Sequence, residues 1–308
     1  MIDKRNLKSL VGNTPLFQLR SYQFNNNVKI FAKLESFNPG GSVKDRLGFH
    51  LVEEALNKGL IQKGDTIVEP TAGNTAIGLA LAAIHYGLKT IFVVPEKFSK
   101  EKQTLMKALG AEVVHTPTEL GMKGAIEKAK QIAETRERVY YPNQFANEWN
   151  PEAYYQGLGP EIYKELAGNI DIFIAGAGTG GTFTGVAKYL KEQNPLIKTV
   201  VVEPEGSIIN GGKSGSHETE GIGMEFFPSF FDHSLYDDVY TISDQKAFTR
   251  VREIALREGL LVGSSSGAVL EACLLEAEKA TTPKNIVTVF PDSSERYLSK
   301  NIYGGIEK

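Results

Sequence analysis

Cysteine is almost missing from this 308-residue chain, which carries only Cys273. One thiol can form neither an intrachain disulfide nor a thiolate zinc cage, and a reducing cytoplasm is the expected compartment. An excess of one charge is missing too. Thirty-four Lys and Arg stand against 37 Asp and Glu, a formal charge of -3, so the chain lacks the overall basic balance of a nucleic-acid binder. No apolar run reaches the roughly 18 residues that suggest a membrane span. The start, Met1 to Asn6, leads into no apolar signal segment. The five histidines, His50, His85, His115, His217 and His233, show no metal-ligand spacing, and no metal site is expected.

What the chain does have is length, apolar content and glycine. Its length suits two domains at roughly 150 residues each, and 41% hydrophobic with 23% charged residues fits a soluble protein with a sizeable core. The 31 glycines cluster in Asn38-Pro39-Gly40-Gly41-Ser42, Thr71-Ala72-Gly73-Asn74-Thr75, Gly176-Ala177-Gly178-Thr179-Gly180-Gly181-Thr182 and Gly263-Ser264-Ser265-Ser266-Gly267. Each cluster sits just ahead of a helix-like segment, where glycine permits a positive φ or a close approach of backbone to ligand. Such turns suggest a binding site built from loops.

Periodicity places these turns. Lys29–Leu34 reads as a strand, and Val43, Leu47, Leu51 and Ala55 repeat every fourth residue in a helix over Val43–Lys58. Strands then follow at Thr66–Glu69, Thr90–Val94, Glu112–His115 and Val139–Tyr141, with helices at Asn74–Tyr86, Ser99–Leu109 and Lys123–Thr135. Asn143–Pro151 interrupts the alternation and marks a domain boundary. Beyond it, helices are expected at Ala153–Leu166, Thr182–Lys191, Gln245–Glu258 and Gly267–Ala280, and strands at Asp171–Ala175, Lys198–Glu203, Leu260–Val262 and Asn285–Phe290. Alternation of this kind means βαβ units and mostly parallel sheets. Gly206–Gly223 reads as a mobile loop.

Each motif admits more than one chemistry. Gly176-x-Gly178-x-x-Gly181 with Glu203 at the end of the next strand is close to a dinucleotide fingerprint. Gly180, Gly181 and Thr182 extend it into a helix N-terminus that suits a single terminal phosphate at least as well. Gly263-Ser264-Ser265-Ser266-Gly267 matches a nucleophile elbow, yet the last histidine, His233, precedes it, so a Ser-acid-His order cannot be completed. Gly212-Lys213-Ser214 resembles the end of a P-loop but has Ser207 where the first glycine belongs, and a flexible loop is the better account. Lys44 stands in the first turn of a helix with Ser42 as its candidate cap. A helix N-terminus is a poor place for a cation. A lysine so placed is either a tolerated cost or, where desolvated, an amine activated toward aldehydes.

Together, Asn38-Pro39-Gly40-Gly41-Ser42-Val43-Lys44-Asp45-Arg46, Glu69-Pro70-Thr71-Ala72-Gly73-Asn74-Thr75, Gly178-Thr179-Gly180-Gly181-Thr182, Glu220-Gly221-Ile222-Gly223 and Ser265-Ser266-Gly267 resemble the cysteine synthase/cystathionine β-synthase family of pyridoxal-phosphate enzymes. The resemblance runs from Gly12-Asn13-Thr14-Pro15 to Pro291-Asp292-Ser293-Ser294-Glu295-Arg296-Tyr297. It implies fold type II (tryptophan synthase β-like): two three-layer α/β domains, 41–145 and 1–40 plus 146–308, with pyridoxal 5'-phosphate between them. It assigns Lys44 as the Schiff-base lysine and Asn74 as partner of the ring hydroxyl. Gly178, Thr179, Gly180, Gly181 and Thr182 would hold the phosphate, and Ser265 would meet the pyridine nitrogen. Thr71, Ala72, Gly73, Thr75 and Gln144 would line the substrate pocket, with Gly221 and Gly223 facing it.

The implied reaction is β-replacement on O-acetylserine, or serine, in sulfur amino-acid metabolism. Gly176-Ala177-Gly178, Glu203-Pro204-Glu205-Gly206-Ser207 and Glu220-Gly221-Ile222-Gly223-Met224-Glu225-Phe226-Phe227-Pro228 resemble the cystathionine β-synthase branch, which uses homocysteine. A cysteine synthase using sulfide is the alternative, and a nicotinamide-dependent oxidoreductase or a non-catalytic cofactor binder the readings from other classes. Ala72 and Ala76 stand where the family has serine and glycine, which leaves the donor open. A homodimer is implied, with a serine acetyltransferase as a further partner. The expectation is a catalytic core without a regulatory module or a haem-binding extension.

Overall fold

The structure, a computed structural model, describes residues 6–71, 73–96 and 100–304. In chain order they form β1 (Leu16–Gln18), β2 (Lys29–Leu34), α1 (Lys44–Asn57), β3 (Thr66–Pro70), α2 (Asn74–Tyr86), β4 (Lys89–Pro95), α3 (Lys100–Ala108), β5 (Glu112–Thr116), α4 (Gly121–Thr135) and β6 (Val139–Tyr140). There follow α5 (Trp149–Gln156), α6 (Leu158–Glu165), β7 (Ile172–Gly176), α7 (Gly181–Gln193), β8 (Lys198–Pro204), β9 (Asp238–Ile242), α8 (Asp244–Glu258), α9 (Ser264–Lys279) and β10 (Asn285–Phe290). The chain divides into two units, Met1–Gly12 with Asn38–Ala153, and Asn13–Phe37 with Tyr154–Lys308. Against the ranges expected from sequence, the first unit also takes residues up to Gly12 and its second segment runs from Asn38 to Ala153.

The first unit is built on a parallel sheet in the order β5-β4-β3-β6. Its strands are apolar in continuous runs because helices cover both faces. Val68, Ile91 and Val93 pack on Ala125, Ala129 and Ile132 of α4. Ile67, Phe92 and Val94 alternate with them toward the other face and are fully buried. α1 and α2 meet through glycine. A Cβ on Gly48 would run into the Gly78 carbonyl group, and one on Gly78 into the Lys44 carbonyl oxygen, so the two helices touch backbone to backbone one turn in from their N-termini.

The second unit's sheet runs β1-β2-β10-β7-β8-β9, parallel throughout except for the antiparallel edge pair β1–β2. One face packs Ile30, Ile174, Val202 and Ile286 against α8 and α9. The other carries Phe173, stacked on Phe183 of α7 with ring centroids 6.0 Å apart. Here β2, from the N-terminal segment, lies beside β10, near the C-terminus.

Several expected elements come out differently. The helix expected over Ala153–Leu166 is two helices, α5 and α6, parted at Gly157. Pro160 is the cause: a continuous helix would lose the bond from its missing N–H to the Gln156 carbonyl and clash with that oxygen. Leu260–Val262 is not a strand; Val262 makes only an isolated bridge to Ser293. α9 begins at Ser264, three residues before the expected Gly267, with Gly263 as its cap. β1 and β9 are additional strands, and Ser99, expected in α3, lies outside the described residues.

The Gly48–Gly78 contact predicts that Gly78→Ala lowers the unfolding free energy by about 1–3 kcal/mol, as overpacking does. Urea denaturation reads this as a lower midpoint at unchanged m-value, and an unchanged midpoint contradicts the close contact.

Candidate active site

The approach to α1 is tied down before Lys44 is reached. Asn38 accepts the Gly12 N–H through Oδ1 at 2.8 Å and donates through Nδ2 to the Ser42 carbonyl at 3.1 Å. Gly41, at φ 73°, closes a turn in which its N–H meets the Asn38 carbonyl at 2.7 Å. Gly40 donates to the Asp45 carboxylate, and its missing Cβ leaves that carboxylate and Leu81 room to close in. Lys44 is then the first residue of α1, its N–H donating to Ser42 Oγ at 3.2 Å. Its side chain is partly buried, and desolvation lowers the amine from 10.5 to about 8. The N-terminal end of α1 disfavours the cation in the same direction.

The second turn of the first unit gathers Thr71, Gly73, Asn74, Thr75 and Gln144. Thr71 Oγ1 accepts the Gly73 N–H at 3.3 Å, and Gly73 caps α2, whose first residue is Asn74. Among the described residues nothing stands within 4 Å of where a Gly73 Cβ would be, so the space beside the α2 cap is open. Thr75 Oγ1 donates to Gln144 Oε1 at 2.9 Å, and both side chains are buried. A helix N-terminus flanked by hydroxyls and an amide is an arrangement that binds a carboxylate. Ala72 lies outside the described residues. Beneath this loop, buried Glu69 at the end of β3 accepts the Asn143 and Gln144 N–H groups at 2.9 and 3.0 Å. Burial pushes its carboxyl up to about 8, against those bonds and one from the Gln144 side chain.

In the second unit β7 runs into the Gly176–Gly181 turn. Gly180, at φ 83°, caps α7, and a Cβ there would come within 2.6 Å of Phe231 and 2.8 Å of Met224. The first N–H groups of α7, starting at Gly181 and Thr182, have no carbonyl of their own helix to meet and point outward at the turn. Thr179 and Thr182 are partly buried beside them. The Gly221–Gly223 segment lies across this turn: Gly223 N–H donates to the Ala177 carbonyl at 2.8 Å, and a Cβ on Gly178 would strike the Gly221 carbonyl oxygen. Ser265, buried in the first turn of α9, completes the group, its Oγ 3.9 Å from where a Gly221 Cβ would sit.

A model of the family described as "Pyridoxal-phosphate dependent enzyme" matches residues 7–292. The chain belongs to this family. It is 57% identical to the O-acetylserine dependent cystathionine beta-synthase of Bacillus subtilis, over 97% of this chain and 97% of that protein. It is 54% identical to a Helicobacter pylori cysteine synthase, over 96% of this chain and 98% of that protein. The crystal structure of the O-acetylserine dependent cystathionine beta-synthase from Helicobacter pylori superposes with a TM-score of 0.94 at 53% identity, covering 98% of this chain and 100% of that one. The fold is fold type II, and the cofactor is pyridoxal phosphate.

The residues present fit that cofactor. Its phosphate needs unpaired N–H donors, which the α7 N-terminus and the left-handed Gly180 provide. Its aldehyde needs an unprotonated amine, and Lys44 is lowered toward neutrality. The nicotinamide alternative fails on its acidic residue as well as on the family. Glu203 is buried, and its carboxylate is taken by the Ile209 and Asn210 N–H groups at 2.8 and 3.1 Å and by Thr241 Oγ1 at 2.9 Å. The Gly206–Gly223 loop is correspondingly pinned. Asp244 accepts from Glu218 and Thr219, and Ser264 Oγ accepts from the Glu220 N–H at 3.0 Å. Gly212-Lys213-Ser214 sits exposed in that loop and opens no helix.

Sequence reasoning passed over Glu69, Ser264 and Gly78 as supports of the site. A charged residue inside an apolar strand was the available signal for Glu69. The lowered Lys44 amine gives a direct expectation: in apoprotein its reaction with a small aldehyde, trapped by borohydride, rises with pH about a midpoint near 8. The free amine is the reactive form, so the rate is low below that pH and flat above it. A midpoint at 10.5, the ordinary lysine value, contradicts the assignment.

Proposed function

We propose that this chain catalyses β-replacement on O-acetylserine with homocysteine, giving cystathionine and acetate. The observation that carries the proposal is Lys44, a desolvated amine at the N-terminus of α1. In this reading Lys44 is the Schiff-base lysine and Asn74 meets the cofactor's ring hydroxyl. Gly178, Thr179, Gly180, Gly181 and Thr182 hold the phosphate, and Ser265 meets the pyridine nitrogen. Bound pyridoxal phosphate supplies the electron sink that lets the α proton and the β leaving group depart.

The protein's own residues do the rest. Thr71, Ala72, Gly73, Thr75 and Gln144 receive the amino-acid carboxylate at the α2 N-terminus, where the helix dipole favours an anion. Gly221 and Gly223 are assigned to the substrate site as well. Lys44 Nζ takes the proton from Cα as the Cβ–O bond breaks and acetate leaves. The thiol releases its proton to solvent as its sulfur bonds to Cβ, and Lys44 then returns the proton it took to Cα. An amine near 8 serves both directions close to neutral pH.

The strong likeness to a cystathionine β-synthase supports homocysteine as nucleophile, and the likeness to cysteine synthases supports sulfide as the second reading. Serine is the second donor. We also infer a homodimer and a cytoplasmic location, and retain a serine acetyltransferase as the protein partner; sedimentation of the chain alone and with that partner tests both assemblies. Among the described residues no helix is long and apolar enough to cross a membrane.

Incubation with O-acetylserine or serine, each paired with homocysteine or sulfide, decides the reaction by product. Cystathionine from O-acetylserine and homocysteine is expected. Cysteine alone, formed rapidly from sulfide, moves the assignment to the second reading. Lys44→Ala is expected to lose the visible absorption band of the lysine-bound cofactor and to slow turnover by about 10²–10⁴-fold or more.

A further inference from the structure

The main-chain ladder between β3 and β6 stops at the pair Ile67–Tyr140. Two residues on, Pro142 has no N–H to offer, and Asn143 turns the chain at φ 54°. The sheet therefore has no backbone means of holding residues 143 and 144. Glu69 takes over that task. Its side chain alternates with Val68, which faces α4, and so points to the opposite face of the sheet. There its two oxygens receive the consecutive N–H groups of Asn143 and Gln144 at 2.9 and 3.0 Å. Gln144 is held from the other side by Asn150, whose Nδ2 donates to its carbonyl at 2.7 Å.

The chain of bonds has a direction. From that anchored residue the side chain reaches α2, where Thr75 Oγ1 donates to Gln144 Oε1 at 2.9 Å. Thr75 is the second residue of α2, so the anchorage near the end of β3 reaches the helix N-terminus. We propose that Glu69 is a positioning residue for amino-acid substrate: it sets the place of Gln144, and through Gln144 that of the Thr75 hydroxyl, at the carboxylate-binding end of α2. The proposal rests on the functional reading above, because it takes that end of α2 as the substrate's seat. Glu69 touches neither substrate nor cofactor in this role.

Glu69→Gln keeps the shape and changes the bonding. An amide in place of the carboxyl turns one acceptor into a donor that faces an N–H, so Gln144 loses part of its anchorage while the sheet keeps its packing. With holoenzyme, the KM for O-acetylserine is expected to rise about tenfold or more while kcat stays within about threefold, the pattern of lost binding shared by ground and transition states. The visible band of the bound cofactor is expected to be unchanged. Gln144→Ala tests the same link without touching Glu69, and the same KM rise is expected. The double variant is expected to be no worse than Gln144→Ala alone, since the two residues act in series.

A Glu69→Gln or Gln144→Ala enzyme with a wild-type KM overturns the proposal, as does an effect confined to kcat or a simple product of the two single effects. If Glu69→Gln does not fold, Gln144→Ala and the exchange of the Asn143 and Gln144 amides in wild-type holoenzyme decide it. Protection of both is expected, and free exchange overturns it. Wild-type holoenzyme that binds the cofactor but turns over neither O-acetylserine nor serine retires the functional reading, and this inference with it. Wild-type turnover beside an unaffected Glu69→Gln retires Glu69 alone.

Discussion

The contact of Gly48 with Gly78 is the constraint on which the placement of Lys44 and Asn74 depends. Where two helix backbones touch, neither can slide or rotate without a clash, because carbonyl and Cα atoms have no rotamers to give way. Both glycines lie one turn in from the helix starts, so the contact settles where those starts are. Lys44 opens α1 and Asn74 opens α2. An amine and an amide from distant parts of the sequence are thus carried on a pair of helices locked together by the absence of two methyl groups.

Helix N-termini recur among the residues proposed to form the site. Lys44, Asn74, Gly181 and Ser264 each open a helix, and each helix follows a turn rich in glycine or serine. For anionic ligands such as a phosphate or a carboxylate the helix dipole and the unpaired N–H groups are favourable. For Lys44 the same field works against the ammonium form, in the same direction as the desolvation that lowers the amine to about 8. One structural device therefore serves opposite ends, attracting anions at some positions and neutralising a cation at another.

The two units also share a way of fastening loops. Glu69 is the last residue but one of β3 and Glu203 of β8, each is followed by the proline that closes its strand, and each is buried. Each accepts two consecutive main-chain N–H groups, those of Asn143 and Gln144 in one unit and of Ile209 and Asn210 in the other. Burying a carboxyl without partners is costly, and two or three donors offset much of that penalty. The acidic residue that looked like a ribose ligand is thereby a loop anchor, and its counterpart in the first unit is the support beneath Gln144.

Strand and helix order was legible in the sequence because apolar periodicity and the glycine turns report local geometry directly: β2, α2 and β10 fall where their patterns place them. The identity of Lys44 as an unusual amine was legible too, since the helix that follows it and the glycines before it are sequence-local. Pro160 splitting a helix was equally written there, though its effect was masked by apolar residues on both sides. Tertiary structure alone decided the partnerships. Nothing in the order of residues says that Gly78 lies against the Lys44 carbonyl, that Glu203 closes on Ile209 and Asn210, or that β2 pairs with β10. Each of these depends on which surfaces meet after the chain has folded back, and burial and hydrogen-bond satisfaction choose among such meetings only in three dimensions.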